Sequence, residues 1–163
     1  MNSSNKIALS KKQNKRIIEY SKSRDWRGML AYADDNFATF SDVNWSTMFS
    51  RLGRMTRDAP AIRSDQVFRR LVQDKFEARV EREGLEWMGV RELANAIHGL
   101  VALGVRRRSL IYDMAGESGA ERIVMKGDPQ HISMIAVSFA RLGFRAPRFF
   151  DCLERRAIAK KIV

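Results

Sequence analysis

Cysteine is nearly missing from this 163-residue sequence. Cys152 stands alone, so no internal disulfide staples the chain, and it reads as a small core side chain on the last helix. Histidine is almost as scarce. His98 and His131 have no cysteine and no second carboxylate at ligand spacing, so no metal site is expected. No apolar run approaches the length that spans a bilayer, and no membrane insertion is expected. Alternating β-branched stretches of strand length do not occur, which points to an all-α fold. Catalytic signatures are missing as well. No Gly-rich loop ends in Lys-Ser or Lys-Thr, no serine sits in a Gly-flanked elbow, and Glu92, Asp113 and Glu117 are scattered rather than paired. The reading is of a non-enzymatic protein with no cofactor. Acidic residues are in short supply: 19 Asp and Glu face 30 Lys and Arg, a net charge of +11 that favours polyanionic partners, nucleic acid first.

What is present is a repeat. Residues 91–105 place Leu93, Ile97, Leu100, Val101 and Leu103 at helical spacing on one face, with small residues between them and Gly104 as the stop. This is the pattern of a buried, close-packed helix. It recurs earlier over 43–55, ending in Leu52-Gly53, and later over 131–144, ending in Leu142-Gly143. The leucines are 51 and then 39 residues apart, as expected of a helical-hairpin unit of roughly forty residues carrying one insertion. The expected architecture is a short α-solenoid of stacked helical hairpins: an N-terminal hairpin over 14–40 and repeats over 41–84, 85–127 and 128–163, forming one domain.

Residues 1–13 are polar and basic and read as a flexible arm able to order on a phosphate backbone. The first eighteen residues hold no acid, as in the mature edge of an organelle-targeting segment or in a plain basic tail. Ser41 is the expected N-cap of a helix whose apolar face is Val43, Trp45, Met48, Phe49, Leu52 and Met55. Ser64 and Asp65 open a further helix, and Asp128-Pro129 and Pro147 open the last two. The stretch 116–127, with three glycines, carries no clear assignment.

Three stretches, Arg24-Asp25-Trp26, Phe40-Ser41-Asp42-Val43-Asn44 and Phe49-Ser50-Arg51-Leu52-Gly53-Arg54-Met55, resemble the opening of the repeat arrays of organellar RNA-binding proteins. These are the octotricopeptide, heptatricopeptide and FAST-kinase-like proteins. Glu92-Leu93-Ala94-Asn95-Ala96-Ile97 and Phe139-Ala140-Arg141-Leu142-Gly143 are similar to the first helix of the same repeat. The resemblance covers roughly residues 14–160. It implies an α-solenoid of a mitochondrion or plastid that binds organellar rRNA or mRNA. A short array suits a component of an organellar ribosome or other ribonucleoprotein, set among neighbouring proteins.

In stacked hairpins the first helices line one surface, where polar positions meet RNA. Alignment on the Leu-Gly pairs makes Asn44 and Asn95 equivalent, with Met134 in the third repeat, and sets Arg51, Ala102 and Arg141 just before the leucine. Asn amides read base edges and Arg pairs bidentately with phosphate, so Asn44, Arg51, Arg54, Asn95 and Arg141 form a candidate RNA-contacting stripe. His98 faces the same groove or the adjacent hairpin. Arg106, Arg107 and Arg108, in a turn between helices, match Arg145 and Arg148 in the next repeat as a basic edge. Each of these residues also fits an ordinary solvated surface. Trp26, Trp45 and Trp87 are candidates to stack bases, but Trp45 falls within an apolar face and reads as core. The alternative to RNA binding is a protein-interaction scaffold with an acidic partner. A ribonuclease would need an acid cluster that the sequence does not supply.

Overall fold

Helix α1 (Ser3–Lys22) begins where the Asn2 side chain accepts a hydrogen bond from the backbone N–H of Asn5. In this computed structural model, which describes residues 1–162 and only the backbone of Arg108 and Ile162, the polar start of the chain is therefore helical and not a loose arm. Two of its polar side chains are tied down. Gln13 is buried and donates to Thr39 Oγ1 at 2.7 Å, and the Ser10 and Ser41 hydroxyls lie 2.7 Å apart. Residues that look solvated in the sequence are thus the hydrogen-bonding surface of α1 against the segment ahead of the third helix.

The chain continues through α2 (Trp26–Asn36), a 3-10 turn (Phe37–Thr39), α3 (Asp42–Gly53) and α4 (Ala59–Ser64). Next come α5 (Gln66–Arg70), a π-helical segment (Leu71–Glu77) and α6 (Ala78–Glu83), followed by a second 3-10 turn (Leu85–Trp87). The remaining helices are α7 (Val90–Ala102), α8 (Arg108–Ala115), α9 (Glu117–Lys126), α10 (Pro129–Arg141) and α11 (Pro147–Ile162). No strand occurs among the described residues, so the all-α expectation holds. The unassigned stretch 116–127 is largely α9. Several expected caps are in place: Ser41 opens α3, the Asp65 carboxylate caps α5, and Asp128 caps α10 with its Oδ1 accepting from the His131 N–H at 3.0 Å.

Packing follows the apolar faces. Helices α1, α3, α7 and α10 lie in series, each against the next, while α2 packs on α1 and α5, and α11 packs on α8 and α9. A single hydrophobic cluster runs through the chain from Ile17 to Phe149. Its first half is aromatic: Phe40, Trp45, Phe49 and Phe76 meet at ring-centroid distances of 5.0 to 5.7 Å. Trp45 is wholly inside, so its expected core role is met and base stacking is closed to it.

Helices α3 and α7 approach each other closely. A Cβ on Gly99 would stand 2.2 Å from the Phe49 carbonyl oxygen, and one on Gly53 would stand 2.8 Å from the Gly99 Cα. Two glycines let these backbones touch, which explains glycine in otherwise apolar helices. The three Leu-Gly pairs are therefore not alike. Gly104 (φ 81°) and Gly143 (φ 65°) terminate α7 and α10 in the left-handed conformation that L side chains disfavour. Val105 N–H then bonds the Leu100 carbonyl and Phe144 N–H the Phe139 carbonyl, the same cap twice. Gly53 instead stays helical and serves the contact with α7.

Candidate nucleic-acid interface

The row α1, α3, α7, α10 carries a polar groove of about 570 Å³. Asn14 of α1, Thr47, Ser50 and Arg51 of α3, Arg54 just beyond it, Arg91 and Asn95 of α7, and Gln130 and His131 of α10 line it. Helical geometry accounts for the convergence. Thr47, Ser50, Arg51 and Arg54 are three or four apart, as are Arg91, Asn95 and His98, so each set makes one stripe on its helix. The α3–α7 glycine contact then brings the two stripes side by side. Of the residues expected on this surface, Arg51, Arg54 and Asn95 are together in the groove, with His98 half-buried beside it.

The groove is positively charged. Arg51, Arg54 and Arg91, which line it, and Arg141, which does not line it but lies near His98, make no ion pair among the described residues. The one carboxylate on its lining, Asp128, is held by the α10 cap and by His131 Nδ1 at 2.9 Å. Burial, and then the charges of Arg141 and Arg54, hold the His98 imidazole below its ordinary pKa. Its Nδ1 is buried without a hydrogen-bond partner, as is Asn14 Oδ1. Unneutralised guanidinium groups around hydroxyl and amide side chains bind phosphate oxygens and base edges.

Other expected contacts fall elsewhere. Asn44 is fully buried and is no base reader. Its Oδ1 accepts from Ser41 N–H at 3.0 Å and its Nδ2 donates to the Ser10 carbonyl at 2.9 Å, so it completes the capping box of α3 and anchors α1. Register equivalence with Asn95 did not carry over because α1 covers this end of α3.

The basic edge is also thinner than the sequence suggests. Arg107 is a structural partner of the buried Glu77, its Nε donating at 2.6 Å in a two-point pair that ties the turn before α8 to the π-helical segment. Arg148 pairs with Glu117 at 3.2 Å across an exposed surface. Arg106 and Arg145 are exposed and make no ion pair among the described residues, and the Arg108 side chain lies outside the described residues. Arg91 is the groove cation that the Leu-Gly alignment missed. Its signal was its position one turn before Asn95 on the same face.

No group of His, Cys, Asp and Glu among the described residues could hold a metal ion, and no helix there is long and apolar enough to cross a membrane. No family model, curated protein or solved structure matches the chain.

Proposed function

We propose that this chain is a non-enzymatic RNA-binding protein, a short α-solenoid that takes a phosphate backbone along the groove of α1, α3, α7 and α10. The observation that carries the reading is the set of unpaired Arg51, Arg54 and Arg91 lining one polar groove with Asn95. Arginines supply phosphate contacts, and the Asn95 amide and the hydroxyls of Thr47 and Ser50 supply hydrogen bonds to bases or ribose. The serial packing of α1, α3, α7 and α10 supports the solenoid reading. The repeated caps at Gly104 and Gly143 support it as well. The resemblance to organellar repeat proteins supports placement in a mitochondrion or plastid, as part of a ribosome or other ribonucleoprotein.

The test compares two triple variants for single-stranded RNA by fluorescence anisotropy. Arg51→Ala/Arg54→Ala/Arg91→Ala empties the groove of its lining arginines, and Arg57→Ala/Arg82→Ala/Arg155→Ala removes equal charge from other exposed positions. The groove triple is expected to bind at least tenfold more weakly than the control triple. Equal losses would reduce the binding to net charge and remove the groove from the account. A chain that binds no RNA at all would favour the protein scaffold.

A further inference from the structure

A second groove runs along α1 and adjoins the basic one, sharing Asn14 and Ile18 with it. Ile7, Lys11, Asn14 and Ile18 fall three or four apart on one face, and with Val43 at the start of α3 they border a groove of about 740 Å³. Its floor is apolar and open to water. Ile7 is 57% exposed and Val43 39% exposed, while Ile18 is half-buried. Clustered exposed apolar side chains on one groove mark a surface that gains by being covered.

The rim is cationic. Lys6, Lys11, Lys15 and Lys22 border the groove, and none pairs with a carboxylate among the described residues. The two rim carboxylates are already engaged. Glu19 pairs with Arg16 at 3.1 Å, and Asp42 accepts from Val43 N–H at 2.8 Å and from Gly89 N–H at 3.1 Å. Four free ammonium groups therefore surround an apolar floor.

We infer that this groove docks an acidic amphipathic helix of a partner protein. The partner lays an aliphatic stripe on Ile7, Ile18 and Val43 and turns flanking Asp and Glu toward the lysines. Helix-in-groove recognition uses anchors at this spacing. Ile7 to Ile18 spans about 16 Å of helix, so the bound helix contributes about three turns. A second copy of this chain is the wrong occupant, because facing grooves would set four lysines against four. RNA satisfies the lysines but leaves the apolar floor without a partner.

The experiment uses the full chain and a fluorescein-labelled 18-residue peptide of Leu, Glu and Ala, with leucines at helical spacing and glutamates flanking them. A scrambled peptide of the same composition is the control. The patterned peptide is expected to bind at least tenfold more tightly than the scrambled one. Ile7→Asn/Val43→Asn is expected to lose that binding at least tenfold while RNA affinity stays within twofold, with helicity checked by circular dichroism. Lys11→Glu/Lys15→Glu is expected to reject the Glu peptide and to accept one carrying Lys in place of Glu. Equal binding of the scrambled peptide, or binding indifferent to both variants, overturns the inference. So does a reassignment of the face: Ile7→Asn/Val43→Asn abolishing binding to phosphatidylserine vesicles, or to poly-uridine RNA, while the peptide fails to bind. Failure of the RNA reading leaves this result untouched, because neither Ile7 nor Val43 lines the basic groove.

Discussion

His98 is the residue whose protonation reports most directly on the groove. Burial disfavours its charged form, and Arg141 and Arg54 disfavour it further, so the folded chain holds it below the ordinary value of 6.5. A phosphate backbone against those arginines offsets their charge, and the imidazole pKa is expected to rise when RNA binds, as followed by an NMR titration of its ring proton. A titration that ignores RNA would place the phosphates elsewhere. The folding consequence has a definite sign. Because the unfolded chain takes the proton more readily, the contribution of His98 to stability is whole above about pH 6.5 and declines as pH falls below it. Asn95 was legible in the sequence because the Leu-Gly register places it on the first-helix face, and His98, which the sequence left between the groove and the adjacent hairpin, follows one turn later on α7. Asn44 was not, since its burial depends on Ser10 and Ser41, residues of other elements that a register cannot show.

At the scale of elements, the Gly53–Gly99 contact fixes the distance between α3 and α7 and therefore the width of the groove. A methyl group on Gly99 would meet backbone, the Phe49 carbonyl, and not the yielding end of a side chain. Gly99→Ala is accordingly expected to destabilise the fold by about 1–3 kcal/mol, the usual cost of overpacking, despite the better helix propensity of alanine. Urea unfolding measures it, and a change within about 0.5 kcal/mol would mean that the helices separate at little cost. Small residues between apolar ones announced a close-packed helix, and the structure supplies its neighbour. Two elements were harder to read. Residues 1–13 looked mobile because the Gln13 and Ser10 side chains bond across to Thr39 and Ser41 and the Ser10 carbonyl accepts from Asn44, and the glycines at 116, 119 and 127 obscured α9, where two of them flank the helix and only Gly119 lies inside it.

On the scale of the whole molecule, positive charge is spread unevenly. Residues 1–40 and 128–163 each carry +4, and 41–127 only +3. The middle nevertheless contributes Arg51, Arg54 and Arg91 to the groove, because among the described residues none of its acids pairs with them: Glu77 pairs with Arg107 and Glu83 with Arg79. Total charge was plain from composition, whereas which arginines remain unpaired is a property of packing alone. The terminal charge divides between two tasks, the α1 lysines around an apolar groove and Arg141 beside the basic one. In the proposed function RNA binds through phosphate contacts made by the groove arginines and by Arg141 beside them. This is tested most directly by the salt dependence of single-stranded RNA affinity, measured for the natural chain and for Arg51→Ala/Arg141→Ala. Contacts to Arg51, Arg54 and Arg91 and to Arg141 beside them predict a slope of log K against log salt near about −3, falling to roughly half that in the double variant. A shallow slope in the natural chain, or a steep one that the double variant leaves unchanged, would contradict the account.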